Sequence, residues 1–345
     1  MERAINGMTQ KELEGLFTDL GQPSFRASQL FHGLHEKGLK SPDEVTTLPK
    51  SLREALRTYP FRTVEEVRQL LSQDGSRKIL YALEDGNTVE TVYMPYPDRT
   101  TLCISSQVGC KMGCQFCAST KAAFVRNLQA EEMLSQVYVT EEITGDRIDR
   151  IVLMGIGEPL DNYDEVVRFL RLITDPRGKN LSARSITLST CGLVPRIYDL
   201  VEEGIPLNLA ISLHASSDED RRRTMPIANR YSIREIIQAC LAYFEKTGRR
   251  ISLEYVLIEG ENDRLQDLDA LSRLFKGPMW HINLLPLNPI KEYKGKSSRE
   301  ERIYAFEDAL HKRGIHASVR KKRGEDIDGA CGQLRILYQR MGGPS

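Results

Sequence analysis

Residues 109–117 read GCKMGCQFC, and they are the most informative stretch because Cys110, Cys114 and Cys117 stand in the pattern C-x3-C-x2-C. Three thiolates can hold three irons of a cubane [4Fe–4S] cluster and leave the fourth iron without a protein ligand. An electron-transfer ferredoxin would supply a fourth cysteine, whereas an open iron can bind a small molecule. The stretch therefore predicts a catalytic iron–sulfur cluster.

Two other interpretations of these cysteines stay open at this point: three buried thiols, or a zinc site completed by a distant histidine. Zinc sites usually pair cysteines as C-x2-C twice over or add H-x3-5-H, and no such partner pair follows Cys117. With Phe116 before the last cysteine, the spacing instead resembles the radical S-adenosylmethionine (SAM) superfamily. That resemblance implies that SAM chelates the open iron through its amino and carboxylate groups.

Strands and helices alternate after residue 100. The expected strands are Thr101–Ser105, Arg150–Met154, Ser185–Ser189, Leu207–Leu213, Ile251–Leu257 and His281–Leu285. The expected helices are Ala130–Ile143, Asn162–Leu172, Pro195–Glu203, Ile233–Thr247, Leu265–Phe275 and Arg299–Lys312. Several strands are largely apolar, which suits a parallel sheet covered on its outer side. Six such units predict a partial (β/α)6 barrel, with its chemistry at the C-terminal ends of the strands.

A different pattern precedes the barrel. We expect short helices at Thr9–Leu20, Arg26–Gly38, Lys50–Tyr59 and Thr63–Leu71, followed by a hairpin of Arg77–Leu83 and Thr88–Pro95. The sequence thus predicts an α/β protein with a small helical N-terminal domain (residues 1–75). A β-hairpin extension and the partial barrel form the catalytic domain (residues 76–345).

Glycines and polar residues stand at the predicted strand ends, where a SAM pocket is expected. The candidate SAM-binding residues are Gly157, Glu158, Ser189, Ser212, Leu213, His214 and Asn288. The Gly-x-Gly turn lets backbone approach a ligand, Glu158 offers an acceptor for the SAM amine, and the serine and asparagine side chains can bind its ribose and carboxylate. Each is weak alone, because a strand-end serine is usually a helix cap. Together, downstream of the cysteine loop, they favour a pocket.

Composition excludes several classes of protein. Seven cysteines with no signal peptide indicate a reducing cytoplasm rather than a disulfide framework, and no apolar run is long enough to span a membrane. The 48 basic and 48 acidic residues give no net charge, so net charge neither indicates nor excludes binding to nucleic acid. Local basic clusters lie at His311–Arg313 and Arg320–Arg323. Arg221–Arg223 form a further cluster directly after three acidic residues. A solvated helix face explains such basic runs more often than a phosphate site does.

Two further cysteines stand outside the cluster loop. Cys103 lies seven residues before Cys110, and Cys331 lies in a polar, glycine-flanked segment that we expect to be exposed. A thiolate there is a candidate nucleophile toward a sulfonium methyl group. The alternative is an incidental free cysteine, which is our interpretation of Cys191 and Cys240.

Separated motifs in a fixed order resemble one family, the dual-specificity 23S rRNA adenine-C2 methyltransferases (RlmN). The motifs are residues 103–110, the cysteine loop, and residues 124–128, 154–160, 189–192, 212–215 and 329–334. The resemblance runs nearly end to end and includes Val89–Tyr93 in the hairpin. It departs only slightly, at residues 118–123 and at Cys191.

This resemblance implies a two-SAM mechanism. One SAM methylates Cys331, and a second is cleaved at the cluster to a 5′-deoxyadenosyl radical that takes hydrogen from the S-methyl group. The resulting carbon radical adds to adenine C2, which is too electron-poor to attack a sulfonium itself. Cys103 then forms a disulfide with Cys331 and releases the methylated base. Glu90 matches the family's proton acceptor, although on sequence alone it is an ordinary exposed hairpin glutamate.

The same resemblance implies the partners and makes the helical N-terminal domain (residues 1–75) an RNA-binding domain. The substrate is an adenosine in the peptidyl-transferase loop of 23S rRNA, and in some members an adenosine beside the tRNA anticodon, both in single-stranded loops. A flavodoxin or ferredoxin supplies electrons. We expect a cytoplasmic monomer without membrane contact.

Two rivals remain. A Cfr-type enzyme methylates C8 of the same adenosine and shares both mechanistic cysteines, although Val108 and Gly157-Glu158-Pro159 look more like the C2 enzymes. A non-catalytic iron–sulfur RNA-binding protein is the rival from another class.

Overall fold

The computed structural model describes residues 3–121, 123–320 and 323–327. Its strands are β1 (Glu65–Leu71), β2 (Arg77–Ala82), β3 (Thr88–Tyr96), β4 (Arg99–Cys103), β5 (Gln107–Val108), β6 (Arg126–Asn127), β7 (Arg150–Leu153), β8 (Ile186–Thr190), β9 (Asn208–Ser212), β10 (Ile251–Leu257), β11 (Trp280–Pro286) and β12 (Ala317–Val319). Its α-helices are α1 (Gln10–Asp19), α2 (Phe25–His35), α3 (Lys50–Leu56), α4 (Ala130–Thr144), α5 (Tyr163–Thr174), α6 (Val194–Glu203), α7 (Asp218–Thr224), α8 (Ile233–Thr247), α9 (Leu265–Leu274) and α10 (Glu300–Lys312).

One large sheet organises the molecule, in the order β1-β2-β3-β4-β7-β8-β9-β10-β11-β12. Strands β1 to β4 pair antiparallel, and from β4 onward every neighbouring pair is parallel. Helices α4, α5, α6, α8, α9 and α10 connect the parallel strands. Because the strand order ends at β1 and β12 without pairing them, the barrel of the described residues is incomplete. The predicted α/β fold, with its parallel sheet and helical N-terminal region, is confirmed.

The two faces of the parallel strands have different surroundings. Alternate residues such as Ile151, Leu188, Ile211 and Leu253 are buried in the main hydrophobic core. Successive side chains on a strand point to opposite faces, so the intervening residues face the other side. On that inner face Ser212, Glu254, Asn283 and Ser318 lie side by side on β9 to β12. The apolar outer face of the sheet packs into the hydrophobic core, and the polar inner face remains available for binding.

The expected helix at Thr63–Leu71 is wrong. Residues Glu65–Leu71 form β1, which pairs antiparallel with β2. Glutamate, arginine, glutamine and leucine are good helix formers, but pairing with the free edge of β2 overrides that weak local preference. The hairpin is therefore a three-stranded unit that continues through β4 into the barrel. The division at residue 75 stays a prediction.

Charged side chains attach the N-terminal helices to the barrel. The Arg3 guanidinium donates two hydrogen bonds to the Glu165 carboxylate of α5, at 2.7 and 2.8 Å. Arg168, also on α5, donates to Glu12 of α1 at 2.6 Å. Among the described residues, no helix has both the length and the apolar character that crossing a membrane requires.

His35 provides a buried polar contact between α2 and α4. Its Nδ1 lies 3.2 Å from the hydroxyl oxygen of Tyr138, and its ring centroid lies 4.5 Å from that of Phe31. Burial lowers the pKa of His35 to about 4, although the nearby Asp175 carboxylate acts in the opposite direction. The folded protein therefore holds this imidazole neutral.

We expect His35 to make stability fall in mild acid. Between about pH 6.5 and about pH 4 the unfolded chain binds a proton that the folded chain does not, so the unfolding free energy decreases by up to about 1.4 kcal/mol per pH unit. A His35→Gln variant should lose this part of the pH dependence. Urea unfolding at about pH 7 and about pH 5 measures it. The exposed His316→Gln variant is the control, and equal pH dependence in all three proteins would contradict the expectation.

Candidate active site

The cysteine loop leaves the barrel after β4 and is closed at its base by a two-stranded sheet. Strand β5 pairs antiparallel with β6, which brings residues 108 and 126 together. Gly109 has φ +77°, and a Cβ there would lie 2.1 Å from the Ala123 carbonyl oxygen. Only glycine fits such a backbone approach. The loop geometry therefore depends on a residue next to the first cysteine.

The tip of the loop rests on α7 and the turn that follows it. The Gln115 amide donates to the Thr224 carbonyl oxygen at 2.9 Å. A Cβ on Gly113 would lie 3.2 Å from Pro226. The loop contributes Met112, Cys114 and Phe116 to a small apolar cluster built on Cys191, Met225 and Ile227. The segment after β9 is therefore the floor beneath the cysteines.

The three thiols of the loop are at least partly shielded from solvent. Cys110 is buried, and Cys114 and Cys117 are partly buried. Burial, reinforced by the Cys117 thiol, raises the pKa of Cys110 to about 12, and burial and both neighbouring thiols raise the pKa of Cys114. Within the described residues no three ligand side chains converge on a single ion. A cubane distributes its thiolates over separate irons, so three thiols in one loop fit it without such convergence.

The glycines after β7 serve a packing role that the sequence did not reveal. A Cβ on Gly155 would lie 2.5 Å from the Ile104 carbonyl oxygen. Gly157 has φ +113°, and its Cβ would lie 2.7 Å from that of Gln107. The close approach is thus to the chain entering the cysteine loop. Contact of Gly157 with SAM stays a prediction.

Glu158 joins two strand-end loops. Its carboxylate accepts from the Leu160 amide at 3.0 Å and from the Cys191 amide at 2.8 Å. The side chain is buried, and burial raises the pKa of Glu158 although these hydrogen bonds act in the opposite direction. Its oxygens keep further lone pairs for a cationic donor.

The structure brings most of the other predicted SAM-binding residues together. The hydroxyl oxygens of Ser189 and Ser212 lie 3.4 Å apart. His214 has φ +55°, accepts from the Val256 amide through Nδ1 at 3.2 Å, and meets the Phe116 ring edge-on at 5.0 Å. Burial, with a contribution from Arg221, lowers the pKa of His214 to about 3. A neutral imidazole whose Nδ1 accepts carries its proton on Nε2, which is then a donor for a ligand.

Two other predicted SAM-binding residues, Leu213 and Asn288, have surroundings that differ from those of the serine pair and His214. Leu213 is buried, and its amide donates to the Glu254 carbonyl oxygen at 3.0 Å. Asn288 is exposed in the loop after β11. The described residues therefore place Asn288 at the rim rather than in the floor of the site.

Glu90 is not the exposed hairpin glutamate that the sequence suggested. It is 2% exposed on β3, and its carboxylate lies 3.3 Å from the Nζ of Lys78, which is fully buried on β2. Val92 pairs with Cys103 on β4, so Glu90 and Cys103 share one face of adjacent strands. The structure thus brings two of the candidate catalytic residues to the same inner wall.

Sequence reasoning missed Arg221 and Cys191. The solvated-face interpretation holds for Arg222 and Arg223, but Arg221 is fully buried. Its spacing of three and four residues from Thr224 and Met225, which are also buried, was the available signal. The Cys191 backbone binds both Glu158 and Arg221.

Cys331, the third candidate catalytic residue, lies outside the described residues, as do Lys321 and Lys322 of the basic cluster.

Comparisons with known proteins agree with this geometry. One family model, the radical SAM superfamily, matches residues 104–272, and another, the ribosomal RNA large subunit methyltransferase N-terminal domain, matches residues 4–60. A relative from Lachnospira eligens is 49% identical over 97% of this chain and 96% of its own length. One from Alkaliphilus oremlandii is 50% identical over 95% and 96%. Both are named probable dual-specificity RNA methyltransferase RlmN.

A solved structure is similar throughout. The crystal structure of a radical SAM methyltransferase from Sphaerobacter thermophilus has a TM-score of 0.91 and 44% identity, covering 96% of this chain and 98% of that one. The partial barrel and its cysteine loop thus define a radical SAM enzyme, which uses a [4Fe–4S] cluster and SAM.

The chain belongs to the RlmN family of radical SAM RNA methyltransferases. The resemblance seen in the sequence is confirmed, and the non-catalytic alternative is wrong.

The buried pair of Lys78 and Glu90 can be tested by its stability. Lys78→Met removes a cation beside a buried carboxylate, and we expect unfolding free energy to fall by about 3 kcal/mol. The double variant Lys78→Met/Glu90→Gln should be less destabilised than Lys78→Met. Urea unfolding measures both.

The control is Lys50→Met, because Lys50 is 83% exposed in its pair with Glu54 and should cost below about 1 kcal/mol. The Glu90→Gln single variant completes the cycle. If the loss in the double variant equals the sum of the losses in Lys78→Met and Glu90→Gln, the two side chains do not interact.

Proposed function

We propose that this enzyme methylates C2 of adenine 2503 in 23S rRNA, and adenine 37 in some tRNAs. The observation that carries the proposal is the position of Glu90 and Cys103 on one inner wall, where Cys103 ends the strand that leads into the three-cysteine loop. A proton acceptor and a resolving thiol are what a covalent RNA intermediate needs. The relatives' names, which include dual specificity for RNA, support two substrates.

Three thiolates would hold the cluster, and the loops after the strands would hold SAM. Cys110, Cys114 and Cys117 would each bind one iron, which would leave one iron for SAM. When bound, the cluster supplies the electron that cleaves SAM to a 5′-deoxyadenosyl radical. Glu158 accepts a hydrogen bond from the SAM amine, while Gly157 and Leu213 contribute backbone to the pocket.

The remaining polar residues complete the SAM pocket. The paired hydroxyls of Ser189 and Ser212 and the amide of Asn288 bind the ribose and carboxylate of SAM. His214 donates from Nε2, as its neutral form requires. Its ring and Phe116 form an aromatic wall beside the cluster loop.

Cys331, Cys103 and Glu90 handle the methyl group and the RNA. Cys331 carries the methyl group from the first SAM. The 5′-deoxyadenosyl radical takes one hydrogen atom from this S-methyl group and becomes 5′-deoxyadenosine, and the resulting methylene radical bonds to adenine C2. Glu90, held beside the buried Lys78 cation, takes the proton from C2. The adduct would return its unpaired electron to the cluster that supplied it. Cys103, as a thiolate, then attacks the sulfur of Cys331 and breaks the carbon–sulfur bond. The freed carbon takes a proton and becomes the methyl group, and a protein disulfide remains. A reductant must restore both thiols.

The partners follow from this chemistry. The N-terminal domain and the basic cluster that includes Arg320 and Arg323 contact RNA phosphates, so binding weakens with salt. A flavodoxin- or ferredoxin-type protein reduces the cluster and the disulfide. We propose a cytoplasmic monomer, consistent with thiols that must stay reduced.

Removal of the resolving thiol should trap the reaction halfway. Cys103→Ala is expected to accumulate a covalent RNA–protein adduct with no released methylated base, because nothing opens the carbon–sulfur bond. Denaturing gel electrophoresis with labelled RNA detects the adduct. Cys240→Ala, a buried thiol of α8, is the matched control and should turn over. Inactive Cys103→Ala protein without adduct would count against the resolving role.

The position of the methyl group distinguishes this enzyme from a Cfr-type enzyme. We expect mass spectrometry of nucleosides from treated 23S rRNA to show 2-methyladenosine only. A methyl group at C8 would establish the other chemistry, and unmodified rRNA with modified tRNA would remove the rRNA assignment.

Loss of one cluster ligand should abolish the cluster. Cys114→Ser is expected to lack the brown iron–sulfur absorbance after anaerobic reconstitution, with iron and sulfide near background. Cys191→Ser, at the floor of the same loop, should keep the chromophore. Full absorbance in Cys114→Ser would overturn the assignment of that ligand.

A further inference from the structure

Arg221 is a buried cation with no carboxylate at salt-bridge distance among the described residues. Its side chain on α7 has no exposed surface, and none of the described carboxylates lies within 4.0 Å of its guanidinium. The guanidinium instead donates to three carbonyl oxygens: Nη2 to Cys191 at 2.6 Å and Ser212 at 3.2 Å, and Nε to Leu213 at 3.2 Å. Nη1 is buried and has no hydrogen-bond partner among the described residues.

Such an arrangement is costly unless an anion is nearby. Carbonyl dipoles satisfy donors but do not neutralise a charge, and an uncompensated buried ion costs several kcal/mol. Burial lowers the pKa of Arg221, but a guanidinium in a protein does not avoid this cost by losing its proton. Asp218, at the start of α7, acts on Arg221 electrostatically but lies outside salt-bridge distance. The free Nη1 therefore points to a negative group closer than that carboxylate.

The position of α7 identifies that group. Thr224 and Pro226, which follow Arg221 closely, contact the cysteine loop at Gln115 and Gly113. Arg221 also interacts electrostatically with the Cys114 thiol. A cubane held by three thiolates is a net anion, and reduction adds a further negative charge to it.

We propose that Arg221 is the buried counter-charge of the iron–sulfur cluster and favours its reduced state. This inference rests on the proposed placement of the cluster at Cys110, Cys114 and Cys117. A fixed cation stabilises the more negative reduced cluster more than the oxidised one, because electrostatic attraction is strong in a site that excludes water. Its three carbonyl bonds hold that cation in place beneath the loop.

The test is the midpoint potential of the reconstituted cluster, measured by electron paramagnetic resonance without SAM or RNA. Arg221→Gln should be about ten-fold harder to reduce, which is a shift of about 59 mV to more negative potential for a one-electron couple. Arg221→Lys keeps the charge and should stay near the wild-type potential. Arg222→Gln, the exposed neighbour on α7, is the control and should not shift.

Each other outcome has a distinct meaning. An unchanged potential in Arg221→Gln with full iron and sulfide content overturns the proposal and leaves Arg221 as a clamp on loop carbonyls. Weaker SAM binding at an unchanged potential also overturns it and reassigns the cation to the SAM carboxylate.

If Arg221→Gln does not fold, the Arg221→Lys protein still decides, because a ten-fold shift despite the retained charge contradicts the proposal. Absence of iron in the wild-type protein would instead refute the cluster placement, and with it the proposed function.

Discussion

Two buried charged groups hold the mouth of the barrel together by bonding to backbone atoms. The Glu158 carboxylate accepts from the amide of Cys191, and the Arg221 guanidinium donates to its carbonyl oxygen. Residue 191 is thus held at both ends of its backbone. Hydrogen bonds to charged groups are the stronger ones, and a buried partner left unpaired is expensive. The loops after β7, β8 and β9 therefore behave as one rigid rim.

This rim gives the cysteine loop a defined place. The loop lies on the segment that carries Arg221, and its entry is packed against Gly155 and Gly157. The ligands of a cluster site need fixed positions, because the open iron has to bind its substrate in one orientation. The fixed position of the cysteine loop comes from close backbone contacts at glycines and from the hydrogen bonds of buried charged side chains, more than from the thiols themselves.

The inner face of the sheet has a polar character that a purely structural barrel would avoid. Asn283 donates to one oxygen of Glu254 at 2.8 Å, while the other oxygen is buried without a hydrogen bond among the described residues, 3.9 Å from Arg320. Arg320 also reaches Met154 on the far side of the strand order. Hydrogen-bond donors and acceptors therefore line the interior of the barrel at the same height as Ser189 and Ser212. The hairpin adds the Lys78–Glu90 pair to the same interior, so it is a wall of the site and not an appendage.

The amino-acid sequence by itself determined the class of chemistry and the order of the β/α units. Both depend on local information: the spacing of Cys110, Cys114 and Cys117, and apolar runs whose period is set by the backbone. The tertiary structure alone decided that residues 65–71 form a strand, that Glu90 is paired and buried, and that Arg221 lies beneath the cysteine loop. Whether a charged side chain is solvated or buried depends on which distant segments pack against it. No neighbouring residue in the sequence carries that information.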